Sequence, residues 1–274
     1  MSMQPTIPEL VAKLAASEGT ARLRPAGRLI TAMVERSNAA ATLVEALNGR
    51  DLPRPPLVIG FTGAPGAGKS TLVDAVTARL LERRPDLRIA ILAVDPTSPF
   101  TGGAVLGDRV RMMRLALEER VFIRSLATRG QLGGVCEALP GVLAVAALWG
   151  ADVALVETVG VGQSEIDIAR HADMSCIVMA PGLGDGVQWL KAGLMEVGDA
   201  FLVNKCDRDG ATTLHSQLLS AVESRQHAPR RRLRPVPAGM TLPQIPPVLS
   251  VSAELGQGID DLLDILPLPV AAHH

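Results

Sequence analysis

An α/β fold with a mostly parallel central sheet flanked by helices is the class this 274-residue sequence predicts. Seven short apolar runs recur along the chain, at 57–61, 89–94, 121–126, 153–156, 176–180, 201–203 and 248–251. Helix-patterned stretches separate them. The first run leads into a glycine-rich loop and then a helical stretch. Runs this short, without polar alternation, read as strands covered on both faces, and such strands form parallel sheets joined by crossover helices.

Before the first strand, residues 7–48 read as helical. Leu10, Leu14, Leu29, Met33, Leu43 and Leu47 recur at spacings of three to four, and Asn48-Gly49 supplies a stop. Residues 1–50 are therefore expected to form an N-terminal helical extension. The segment DLPRPP (51–56) is a rigid linker, and the main domain covers 57–268. The stretch 225–247 carries six prolines and five arginines and reads as an irregular excursion.

Apolar residues make up 47%, enough for a sizeable core. Lys+Arg 27 against Asp+Glu 28 gives a net charge of -1, which argues against electrostatic wrapping of nucleic acid. Aromatics are 2% with no Tyr, so base stacking on aromatic platforms is not expected. Cys136, Cys176 and Cys206 are far apart and form no C-x-x-C, which speaks against a disulfide framework or a structural zinc site. No signal peptide is read at the N-terminus. The longest apolar stretch, 142–149, falls short of the ~20 residues of a membrane span. A cytoplasmic protein without a membrane partner is the expectation; His273 and His274 are set aside as a tag remnant.

The loop after the first strand is GAPGAGKS (63–70) followed by Thr71. It fits G-x-x-x-x-G-K-[ST] between a strand and a helix, the phosphate-binding P-loop context. Gly63, Gly66 and Gly68, with Pro65 and Ala67 between them, let backbone N–H groups turn toward phosphate oxygens. The helix start adds its positive end. Lys69 reaches the β- and γ-phosphates, and the Ser70 hydroxyl is a Mg²⁺ ligand. A P-loop NTPase follows.

The base is read farther on. FLVNKCD (201–207) is an apolar strand ending in N-K-x-D. A carboxylate at Asp207 accepts from guanine N1–H and N2–H₂, whereas adenine offers no such donor pair. GTP is therefore expected over ATP. Lys205 can lie along the base, and Asn204 can tie this loop to the P-loop. Ser252 and Ala253, in SVSA (250–253), suit a backbone contact to guanine O6.

Asp95 ends the strand 89–94, where a carboxylate can hold the Mg²⁺ shell; Asp108 is a second candidate. Strand 153–156 runs into Glu157-Thr-Val-Gly160, an E-x-x-G where Ras-type proteins have D-x-x-G. The Gly160 N–H can sense the γ-phosphate. Glu157 can reach Mg²⁺ through a water or orient the attacking water, and with Lys69 it makes the catalytic pair. Arg109, Arg111 and Arg129 are the arginines placed to act as a finger, none singled out.

In order, GAPGAGKST, AVDPTSPFTGGAVLGDRVRM, LGG, VETVGVGQSE, the loop 181–191, NKCD and SVSA resemble one family closely. It is the MeaB/ArgK/methylmalonic aciduria type A group of SIMIBI-class P-loop GTPases, matched over residues 7–265. The resemblance implies GTP/GDP and Mg²⁺ as ligands. It implies a chaperone that gates adenosylcobalamin loading from an adenosyltransferase and protects or reactivates a B12-dependent acyl-CoA mutase. Under it, 95–111 is switch I, 160–171 switch II and 181–191 switch III. Arg111, Gln163, Asp185, Gln188 and Lys191 become switch or partner residues, and the N-terminal helices a partner-contacting element. The family's C-terminal dimerisation arm has no counterpart here, which weakens the expectation of a homodimer. GVQW at 186–189 also replaces the family's usual ELQG. The alternatives are a metal-insertion GTPase or a kinase of the same P-loop class, and a protein-targeting GTPase.

Overall fold

β1 (Leu57–Gly63) is buried along its whole length and is the hub of the sheet. The computed structural model describes residues 5–35, 38–49, 51, 53–95, 115–127, 134–158, 168–183, 194–225 and 241–269. Around β1 stand β2 (Ile89–Asp95), β3 (Val121–Ala127), β4 (Val153–Thr158), β5 (Met174–Met179), β6 (Ala200–Val203) and β7 (Val248–Ser250). The order is β3-β2-β4-β1-β5-β6-β7, and every pairing is parallel. Each of the seven apolar runs is a strand, and the expected α/β class is the observed one.

Alternation within the strands sorts side chains onto two faces. Leu57, Ile59 and Phe61 pack with Leu72, Val76 and Leu80 of α4 (Lys69–Arg83) and with Leu262 and Leu263 near the C-terminus. Val58, Ala90, Leu92 and Ala154 face the opposite side. There they meet Val142 and Val145 of α5 (Gly134–Trp149) together with the N-terminal helices. Leu214 and Leu218 of α6 (Ala211–Ser224) cover β5 and β6 on that same side. Helix α7 (Ile259–Ile265) closes the chain against α4, where Arg79 and Arg83 pair with Asp260 and Asp264 at the surface.

The N-terminal helices are α1 (Ile7–Ala15), α2 (Leu23–Glu35) and α3 (Ala39–Ala46). Helix α1 starts with a capping box in which Thr6 Oγ1 accepts from Glu9 N and Thr6 N donates to Glu9. Leu10, Leu14, Leu29, Ile30 and Leu43 belong to the same apolar cluster as the strands beneath them. Arg124 of β3 donates to the Thr31 hydroxyl at 2.6 Å. Arg22 donates to Leu148 O at 2.7 Å, where the C-terminal carbonyls of α5 attract a cation. These helices thus share a core with the sheet.

The start edge of the sheet is bracketed by aspartates. Asp152, Asp173 and Asp199 stand directly before β4, β5 and β6. Their carboxylates accept from Arg88 N at 2.8 Å, Val58 N at 2.8 Å and Ser175 N at 2.9 Å, each on a neighbouring strand or its approach. Such charge-assisted bonds satisfy the first N–H groups of strands that would otherwise begin unpaired.

At the opposite edge, β1 ends on Gly63 with φ +139°, and a Cβ there would overlap the Val178 carbonyl of β5. Gly63→Ala is therefore expected to cost more than ~4 kcal/mol and leave no cooperative thermal transition. A melt matching the parent by circular dichroism would refute it. Among the described residues no helix is long and apolar enough to cross a membrane.

Candidate nucleotide site

The loop between β1 and α4 is built by glycine conformation. Gly66 and Gly68 take φ of +76° and +85°, and Ala67 N closes the turn onto Ala64 O. Pro65 and Gly66 form the exposed tip, while Ala67 is buried. Helix α4 begins at Lys69, so the N–H groups of Lys69, Ser70 and Thr71 belong to its first turn. Such groups lack acceptors within the helix and favour an anion.

Lys69 is only 6% exposed. Its ammonium donates to Gly63 O at 2.8 Å and Ala64 O at 2.9 Å, which satisfies a buried cation. These two anchors hold the ammonium at the phosphate side of the loop.

Glu157 is 3% exposed and lies in β4 opposite Phe61 of β1 and Ala93 of β2. The Ser70 hydroxyl donates to its Oε1 at 3.0 Å. A hydroxyl and a buried carboxylate beside a phosphate loop form an oxygen-only donor set that suits a hard divalent cation. Asp95 stands at the end of β2, beside β4, so its backbone is placed at the same edge. Among the described residues no cluster of three or more His, Cys, Asp and Glu could hold a metal.

The base-reading segment follows β6. Asn204 is 2% exposed and bonds in two directions. Its Nδ2 donates to Ala67 O at 2.8 Å and Gly68 O at 3.3 Å, while its Oδ1 accepts from Ala253 N at 3.1 Å. Lys205 is the one non-glycine residue with positive φ among those described, at +58°. That strained turn carries its ammonium to Gly66 O at 2.7 Å. Cys206 N donates to Val251 O, which ties the segment to the strand beside it.

The Asp207 carboxylate is exposed and held below the usual carboxylate range. The largest cause is the Ser252 hydroxyl, followed by its own backbone amide. It therefore stays an acceptor at physiological pH, ready for a donor pair on a base. Burial, then the Asp207 charge, pushes the neighbouring Cys206 thiol up, so it stays protonated.

The structure brings Gly63, Pro65, Gly66, Ala67, Gly68, Lys69, Ser70, Thr71, Glu157, Asn204, Lys205, Asp207, Ser252 and Ala253 to one edge of the sheet. Two of them are used differently from the expectation. The Ala253 N–H, expected to face guanine O6, donates to Asn204, and the Ser252 hydroxyl orients Asp207. Gly160, Asp108, Arg109, Arg111, Arg129, Gln163, Asp185, Gln188, Lys191 and the Asp95 side chain lie outside the described residues. Sequence reasoning missed the buried bond between the Thr158 and Thr62 hydroxyls, 3.0 Å long, which joins β4 to β1 beside the loop. The available signal was a hydroxyl at the end of each otherwise apolar run.

Asn204→Ala would strand the Ala253 N–H and release the loop carbonyls. We expect a loss of about 1–3 kcal/mol, a melting temperature lower by about 5 °C, and weaker GDP binding. Calorimetry checks both readouts, and an unchanged pair sinks the latch.

The family model described as methylmalonyl Co-A mutase-associated GTPase MeaB matches residues 27–268. This chain belongs to the MeaB family. Among MeaB-type relatives, it is 42% identical over 241 residues to a Pyrococcus abyssi protein named as a GTPase, covering 88% of this chain and 70% of that one. It is 41% identical over 206 residues to GTPase ArgK of Escherichia coli, covering 75% of this chain and 59% of that one. The solved structure of a LAO/AO transport system kinase superposes with a TM-score of 0.66 at 28% identity, over 96% of this chain and 74% of that one. The MeaB-family chain is a P-loop GTPase that hydrolyses GTP.

Proposed function

We propose that this GTPase is a chaperone of a B12-dependent acyl-CoA mutase, gating its adenosylcobalamin loading and protecting or reactivating it. The observation that carries the reading is the mutase-associated family model, which runs through the sheet and both halves of the site. GTP lies with its phosphates over residues 63–71 and its base against Asn204, Lys205 and Asp207. Ser70 and Glu157, with Asp95 at the adjacent strand end, would hold Mg²⁺. That ion would supply charge neutralisation to the phosphates. Lys69 meets the developing charge from the loop side, its ammonium held by its two carbonyl anchors. Glu157, fixed by the Ser70 hydroxyl, is the residue we assign to the cation side of the site and to orienting the attacking water. Asp207 selects guanine.

The test is GTP turnover with each acyl-CoA mutase of the source organism added singly, in apo and cobalamin-loaded forms. About tenfold stimulation by one of them, together with co-elution, is the expected result. Turnover unmoved by every mutase, with no complex formed, would overturn the chaperone reading.

A further inference from the structure

A second concavity lies at the start edge of the sheet, away from the phosphate loop. It has a volume of about 1020 Å³ and opens beside Val58 of β1, between α3, α5 and the proline-rich linker. Its size stands at the upper end of the ~300–1,000 Å³ typical of small-molecule sites. Leu47 of α3, Leu143 and Leu148 of α5, and Pro53 and Pro56 of the linker supply aliphatic walls. The linker prolines fix their own φ angles, so that wall is set in advance of any ligand. Val44 stands at the mouth with 71% of its surface exposed.

Two features define what would fit. No Phe, Tyr or Trp is among the described lining residues, so the walls suit a flexible aliphatic chain better than a stacked planar ring. The charged lining is of one sign. Arg54 and Arg170 border the cavity with His171 beside them, and no Asp or Glu is among the described lining residues. Both arginines are exposed, so an acidic head could meet them without burying a charge. Their planar forks match a carboxylate.

We propose that this cavity binds a long-chain aliphatic carboxylate. The chain lies between α3 and α5, and the head sits at Arg54 on the exposed rim. The site lies at the opposite end of the strands from the phosphate loop and does not depend on the mutase reading.

The experiment is calorimetric titration of the full chain with decanoate below its micellar concentration. Decanol serves as the neutral chain of equal length, and GDP affinity reports on the fold. Decanoate should saturate at one site per chain, with decanol at least about fivefold weaker. Arg54→Glu should weaken decanoate by about fivefold or more, and Val44→Glu, at the exposed mouth, should act likewise. Ala144→Trp, which fills the cavity from α5, should abolish binding. GDP affinity should stay unchanged in all three variants. Absence of saturable decanoate binding, equal binding of decanol, or decanoate affinity indifferent to both exposed substitutions would overturn the proposal. Those two substitutions decide it even where Ala144→Trp does not fold.

Discussion

Lys69→Ala is expected to slow GTP hydrolysis by about 10²–10³-fold, read as single-turnover phosphate release. The scale is that of removing one preorganised donor from a transition-state charge site. The ammonium is buried and anchored by the Gly63 and Ala64 carbonyls, so the cation is held in place before the phosphate arrives. Guanine recognition is made elsewhere, so the variant should keep its preference for GDP over ADP. That split between a lost rate and a kept base preference is what a collapsed site would not produce. A hydrolysis rate within twofold of the parent would remove Lys69 from the mechanism.

Asp207→Asn carries the second large effect. On the proposed reading the carboxylate accepts two N–H groups of guanine, and an amide in its place would present one acceptor and one misplaced donor. A bidentate pair of this kind is worth about 1–3 kcal/mol of discrimination. GDP affinity should therefore fall by about ten- to a hundredfold while phosphate binding persists. Xanthine carries a carbonyl where guanine carries its amino group, so xanthosine diphosphate should gain on the variant. Equal GDP binding by both proteins would move base recognition away from this residue. The pH dependence has a defined sign. Ser252 and the backbone amide hold the folded carboxyl below its ordinary range, so the charged form is favoured. Its contribution is complete above the unfolded carboxyl value and is lost only as pH falls through the lower folded one. The preference for GDP over ADP, in which the phosphate ionisation cancels, should accordingly stay level from pH 8 down to pH 5.

Most of the sheet was legible because strands covered on both faces leave no polar alternation, and the chain writes them as apolar runs. The differences are local and have physical causes. β5 starts at Met174 rather than 176 because Ser175 is polar yet buried, its N–H satisfied by Asp199. The phosphate loop was legible because its chemistry fixes residue types at fixed spacing. Ser252 and Ala253 were placed correctly in the chain, but their bonds depend on which loop faces them across the sheet, and spacing carries no such information. The same limit applies to the N-terminal helices. Periodicity in Leu10, Leu14 and Leu29 announces an apolar face but not its partner, and the Arg124–Thr31 bond joins residues 93 apart in sequence.

The aspartate brackets at the starts of β4, β5 and β6 have a mechanical consequence. They clamp one margin of the sheet with charge-assisted hydrogen bonds from backbone N–H groups, so neighbouring strands resist sliding past one another there. The sheet then works as an anvil. A response to the nucleotide's γ-phosphate is then expected at the opposite margin, where the phosphate loop lies, rather than as shear through the body of the sheet.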